Sequence, residues 1–260
     1  MKKSFINSSK PLITAMVKYT YNPDSCIEEI KKGLAAGAEA FGIQCENLPR
    51  GYHNKEDLTK IFFAMEDKPI YVTNYKLGHN ANLPYEELAE ELLRYCDYGA
   101  TLIDMTGDYF CMTEGELTFD AEALKKQREL VDRIHDKGCE VLISSHINKV
   151  TSAERVVEVA LEHQRRGADI SKIVVHANTV EEEIEALRIT AMLKDKLDIK
   201  YLYLAGGESC LIQRRLGMLL GNCMSLCMFE PINGSKEPTV QPLISEQIMC
   251  RDKLNFIKNN

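Results

Sequence analysis

Eight short apolar runs alternate with eight longer amphipathic ones along the 260 residues of this chain, and this alternation limits the possible folds more than any other feature. Read by hydrophobic period, strands are predicted over residues 11–17, 40–47, 69–75, 101–106, 140–147, 170–178, 200–205 and 223–229. Helices are predicted over 26–36, 56–65, 85–98, 121–137, 153–166, 180–197, 210–220 and 246–257. Gly37, Gly99, Gly138 and Gly167 each follow a helical run, where a residue able to turn left-handed ends a helix. Thr151-Ser152 and Thr179 precede helical runs as N-caps do. No linker or composition break interrupts the series. The expectation is a single α/β domain over residues 1–260, a (β/α)8 TIM barrel rather than an open sheet.

Within the sixth strand stands an amine. If Asp169-Ile170-Ser171-Lys172-Ile173-Val174-Val175 alternates as a strand, then Ile170, Lys172, Val174, His176 and Asn178 share one face. Lys172 then points to the interior, where an unpaired ammonium costs several kcal/mol. Burial is expected to favour the neutral amine, which can attack a carbonyl and form an imine. An interior lysine paired with a carboxylate accounts for the same residue without chemistry.

The net charge of −7 and the lack of a basic cluster argue against nucleic acid and anionic membranes as partners. The nine cysteines include no Cys-x-x-Cys pair. Cys223 and Cys227 fall in an apolar run, where cysteine acts as a small core residue. An odd number of cysteines, no apolar leader after Met1-Lys2-Lys3 and no membrane-length apolar segment point to a soluble cytoplasmic protein. No cofactor is expected.

Catalytic groups of such barrels project from the C-terminal ends of the strands. The candidates are therefore Gln44, Cys45 and Glu46 after strand two, Asn74 and Tyr75 after three, Asp104 and Thr106 after four, His146 after five, Lys172 and His176 on six, Glu208 after seven and Arg214 on the next helix. Gly206-Gly207-Glu208-Ser209 offers backbone N–H groups to an anion, or only a tight turn. The connections over 107–119 and 230–244 are long, and the first is a candidate lid or a packed insertion.

Two stretches, Glu140-Val141-Leu142-Ile143-Ser144-Ser145-His146 and Ala168-Asp169-Ile170-Ser171-Lys172-Ile173, resemble in order and spacing the type I 3-dehydroquinate dehydratases, imine-forming barrel enzymes of the shikimate pathway. The resemblance implies that Lys172 forms the imine with a small-molecule ketone and that His146 is the general acid/base. Ile212-Gln213-Arg214-Arg215-Leu216-Gly217 is similar to the family's segment after strand seven and implies that Arg214 binds substrate. A homodimer is the family's usual state.

The substrate clamps depart from that family. Its glutamate-x-arginine signature after strand two reads Gln44-Cys45-Glu46 here, and the arginine expected after strand three is Tyr75. Its serine-x-proline-glycine-glutamine loop after strand eight has become Glu237-Pro238-Thr239-Val240-Gln241-Pro242, which leaves Gln241 as a binding candidate. His176, four residues beyond Lys172 on the same face, could orient substrate. The expectation is a hydro-lyase acting on 3-dehydroquinate or a related cyclic hydroxy-ketone. Two competing readings are a metal-dependent lyase or isomerase, with Glu46, Asp104, His146 and His176 converging on a cation, and a barrel that binds without turnover.

Overall fold

The computed structural model describes residues 4–231 and 240–259, with side chains described to residue 253; Glu237, Pro238 and Thr239 of the loop after strand eight lie outside them. Eight parallel strands form the barrel: β1 (Leu12–Val17), β2 (Ala40–Gln44), β3 (Ile70–Thr73), β4 (Leu102–Thr106), β5 (Glu140–His146), β6 (Ile170–His176), β7 (Lys200–Gly206) and β8 (Met224–Cys227). They pair in the order β7-β6-β5-β4-β3-β2-β1-β8. Helices follow in alternation as α1 (Pro23–Ala35), α2 (Lys55–Ala64), α3 (Tyr85–Tyr98), α4 (Ala121–Asp136), α5 (Ala153–Arg165), α6 (Val180–Leu193), α7 (Leu211–Leu220) and α8 (Ile244–Asn259). The expected (β/α)8 TIM barrel is the observed fold.

The ring closes between β7 and β8 with little ladder. Cys223 N–H donates to the Tyr201 carbonyl at 2.9 Å. The Asn222 side chain then accepts from Tyr203 N–H and donates to the Tyr203 carbonyl, both at 2.9 Å, standing in for a strand residue. Inside, Leu12, Leu102, Leu142, Ile170, Leu202 and Met224 are buried in one apolar cluster, and Phe5 is buried with them. Phe5 N–H donates to the Glu140 carboxylate at 3.0 Å. Gly42 on β2 makes room in this interior, since a Cβ there would lie 2.4 Å from Met16 Sδ and 2.8 Å from the Tyr71 ring.

Several elements end earlier than the sequence reading expected, among them α6, β2 and β3. α6 stops at Leu193, the last buried apolar residue before exposed Lys194, Asp195 and Lys196. β2 gives way to a 3-10 turn over Cys45–Asn47. β3 ends at Thr73, so Asn74 and Tyr75 lie beyond the ladder. The two strand ends reposition candidate residues. Among the described residues no helix is long and apolar enough to cross a membrane.

Candidate active site

Lys172 lies opposite Ser144 of β5 and Leu202 of β7 in the sheet register, and it is 5% exposed. Its Nζ donates to Tyr71 Oη at 3.0 Å and Tyr75 Oη at 3.1 Å, and it pairs with Asp104 Oδ2 at 3.0 Å. Each tyrosine hydroxyl in turn donates to Asp104 Oδ2 at 2.5 Å, and Ser144 donates to Asp104 Oδ1 at 2.6 Å. Burial opposes charge on Asp104, yet the Lys172 ammonium and these hydroxyls outweigh it and hold the carboxyl below its usual range. The interior lysine is thus ion-paired, and it also faces an open cavity.

That cavity, about 430 Å³, sits in the C-terminal mouth of the barrel. Lys172, His146, Arg214, Gln44, Tyr71, Lys18 and Gln241 supply its polar lining, and Met16, Val174, Leu204, Leu226 and Met228 are among its apolar walls. Arg214 Nε donates to the Ala205 carbonyl. Burial pulls the guanidinium down to about 10, which still leaves it cationic at neutral pH. Lys18 was not foreseen from sequence. It continues β1, whose end is held by Glu29 accepting from Lys18 N–H at 2.7 Å and Tyr19 N–H at 3.0 Å.

His146, the last residue of β5, has a carboxylate partner that the sequence did not reveal. Its Nδ1 lies 2.6 Å from Glu116 Oε2, and its backbone N–H donates to the same oxygen at 3.0 Å. The Tyr75 ring meets the imidazole edge-on at 5.7 Å between centroids. Glu116 comes from the long 107–119 segment, which is bonded to the barrel at several points. Arg166 donates to the carbonyls of Gly107 and Thr118 at 2.6 and 2.7 Å, and Ser145 donates to the Glu116 carbonyl at 2.8 Å. Ser145 is backed by His163, whose two ring nitrogens each lie 3.0 Å from a serine hydroxyl, Ser145 and Ser171. Burial, with Arg166 adding to it, pulls the His163 imidazole down to about 3, so it stays neutral. Glu116 itself holds a positive φ of 52°, a conformation a non-glycine residue keeps only where its surroundings enforce it.

The remaining candidates stand off the cavity. The 3-10 turn after β2 carries Glu46 inward, 2% exposed, where Thr73 Oγ1 donates to it at 2.8 Å and Tyr75 N–H at 3.3 Å. Burial raises its carboxyl despite these bonds, and the Asp104 charge adds to the rise. Tyr75 reaches the amine from behind the cavity wall. Asn74 donates to Glu91 at 3.0 Å within a buried network that includes Arg50. His176 lies at the top of β6, against Gly206. Glu46, Asp104, His146 and His176 therefore face different partners, and among the described residues no group of three or more potential ligands is gathered to hold a metal.

A family model for the type I 3-dehydroquinases matches residues 21–243. The chain belongs to the type I 3-dehydroquinase family. A 3-dehydroquinate dehydratase of Alkaliphilus oremlandii is 28% identical over 176 residues, 64% of this chain and 65% of that relative's length. The matched part thus spans just under two thirds of that relative. Among solved structures, the 3-dehydroquinate dehydratase of Geobacillus kaustophilus superposes with a TM-score of 0.78 at 17% identity, covering 96% of this chain and 93% of the other. The type I enzyme of Clostridium difficile gives 0.76 at 18% identity, covering 96% and 94%. At these identities the two structures establish the fold, and the family assignment rests on the family model.

Proposed function

We propose that this type I 3-dehydroquinase relative is a hydro-lyase that eliminates water from an anionic cyclic hydroxy-ketone through an imine on Lys172. The observation that carries the reading is that one cavity is lined by an inward strand amine, an imidazole on the adjacent strand and the Arg214 guanidinium. The Lys172 amine attacks the carbonyl carbon and the carbonyl oxygen leaves as water. The resulting iminium draws electrons from the neighbouring carbon, and His146 removes a proton there. The enamine electrons expel the hydroxyl one carbon further on, which departs with the proton from His146, and hydrolysis frees Lys172. Arg214 binds the substrate carboxylate. Gln44 and Gln241 reach ring hydroxyls, while Glu46, Tyr75 and His176 act from outside the cavity wall.

Substrate choice follows from the altered clamps. Losing a charged hydrogen bond to substrate costs about 1.5 to 3 kcal/mol, roughly one to two decades in affinity, so 3-dehydroquinate itself is held less well than by relatives that keep both arginines. Two measurements test this. Borohydride with a turned-over ketone should fix the ligand to the Lys172 peptide, and label on another lysine would overturn the mechanism. A steady-state specificity constant for 3-dehydroquinate above about 10⁴ M⁻¹s⁻¹ would overturn the changed substrate preference.

A further inference from the structure

We propose that Asp104 is a catalytic residue, the counter-ion that keeps the imine nitrogen on Lys172 protonated while the carbon acid gives up its proton. The inference rests on the Lys172 imine proposed above and deepens it. A neutral imine is a weak electron sink, whereas an iminium is a strong one, so the reaction needs a cation at Nζ at the moment His146 acts. In the free protein Nζ already lies 3.0 Å from Asp104 Oδ2, so the carboxylate is in place before the ketone arrives. When the ammonium and a ketone become an iminium and water, two of the three ammonium protons leave with the carbonyl oxygen and the third stays on nitrogen. Charge is conserved, Nζ need not move, and one carboxylate serves both states.

The groups around Nζ single out Asp104 for this role. β3 and its extension contribute the hydroxyls of Tyr71 and Tyr75, β4 contributes Asp104, and β7 presents Leu202 and Leu204. His146 of β5, Lys18 of β1 and Arg214 of α7 share the cavity and are neutral or cationic. Glu46 lies behind the wall on Thr73. Burial drives both tyrosines well above the usual phenol range, with the Asp104 charge adding to it, so they remain protonated and supply no negative charge. They accept from Nζ and donate to Asp104, which fixes the carboxylate against the amine. Ser144 holds its other oxygen.

The test uses the full chain with 4-oxopentanoate and with 3-dehydroquinate as ketones, and cyanoborohydride, which reduces iminium but not neutral imine. Labelling of Lys172 is followed by mass spectrometry between about pH 6 and 9. An opposite charge at this range moves a titration by roughly 1 to 3 units. In Asp104→Asn, labelling should therefore fall about tenfold or more between neutral and alkaline pH, where the wild type changes little. Asp104→Glu keeps a carboxylate at this position and should keep the wild-type profile, and Asp104→Ser, which removes the charge with a smaller hydroxyl side chain, serves as the second variant should Asp104→Asn fail to fold. An Asp104→Asn or Asp104→Ser profile that overlies the wild type, or an Asp104→Glu profile that collapses at alkaline pH, overturns the counter-ion role while leaving the imine in place. No label on wild-type Lys172 with either ketone overturns the imine reading itself.

Discussion

Replacing Glu116 with glutamine tests how His146, the proposed acid/base residue, is held. The amide keeps the length of the side chain, so its carbonyl can still accept from His146 Nδ1, now 2.6 Å from the carboxylate, and from the His146 backbone N–H at 3.0 Å. Orientation survives and the charge is lost. A hydrogen bond to a charged group contributes about 1.5 to 3 kcal/mol, or about ten- to over a hundredfold in rate. Solvent reaches both side chains, at 23% for His146 and 28% for Glu116, so screening places the effect in the lower part of that range. The expected result is a loss of about ten- to fiftyfold in kcat. Borohydride labelling of Lys172 should be unchanged, because Glu116 does not touch the amine, and KM should move little. Turnover within about twofold of wild type in a folded Glu116→Gln protein would refute the reasoning. A parallel fall in labelling would also refute it, by showing that Glu116 acts on imine formation.

Lys172→Met should abolish turnover with the fold retained, since methionine fills a similar volume; residual turnover above background would exclude the imine. His146→Ala should still be labelled by borohydride but lose roughly two to four orders of magnitude in turnover, and near-normal rates would move the role elsewhere. Arg214→Gln should raise KM by about ten- to a hundredfold for a carboxylated ketone and much less for the matching amide; an equal effect on both would remove the carboxylate from that site. Stability should vary with pH in two phases, read from urea midpoints. Burial raises the carboxyls of Glu46 and Glu140, so protonation favours the folded state and their contribution is lost as pH rises through their folded values. Asp104 and Glu91 are held low despite burial, Asp104 by the Lys172 charge and hydroxyls and Glu91 by hydrogen bonds from His53, Arg50 and Asn74, and their contribution is lost as pH falls below the ordinary carboxylate range. The midpoint should therefore rise slightly from neutral toward mildly acidic pH and then drop; a monotonic fall from pH 7 would contradict this.

The barrel was legible because strands buried on both faces and one-sided helices leave different periods in the sequence, and each predicted element corresponds to an observed one. Lys172 was legible for the same reason, as an amine on the inward phase of a strand. Element ends were less so. No breaker residue follows Gln44 or Thr73 at once, so the strands read on to Asn47 and Tyr75, yet the chain turns earlier and Glu46 and Tyr75 reach Thr73 and Asp104 instead of lining the cavity. Tyr71 reads as core until its hydroxyl is seen on Asp104, a contact made possible by the missing side chain at Gly42. Glu116 had no signal at all. The 107–119 segment carries Asp108, Glu114 and Glu116, and no periodicity sorts three carboxylates in an irregular loop. Which of them turns back to β5 depends on where Arg166 and Ser145 pin the backbone.

The Asn222 amide that bridges to β7 has a consequence for motion. Elsewhere neighbouring strands are joined by runs of main-chain bonds, but two of the bonds across this one seam come from a side chain, which a single rotamer change can release. Local opening follows the lowest-energy route, and for this ring the route runs through the β7–β8 seam. Leu204 stands on one side of that seam and Leu226 and Met228 on the other, all on the cavity wall. A barrel that breathes here widens its own mouth beside Leu204, Leu226 and Met228, while the ladders that join β4, β5 and β6 and carry Asp104, His146 and Lys172 stay paired. Amide exchange at Tyr203 should accordingly run ahead of Leu142 and Ile143 in the fully laddered β5, and binding of a ketone acid should slow it.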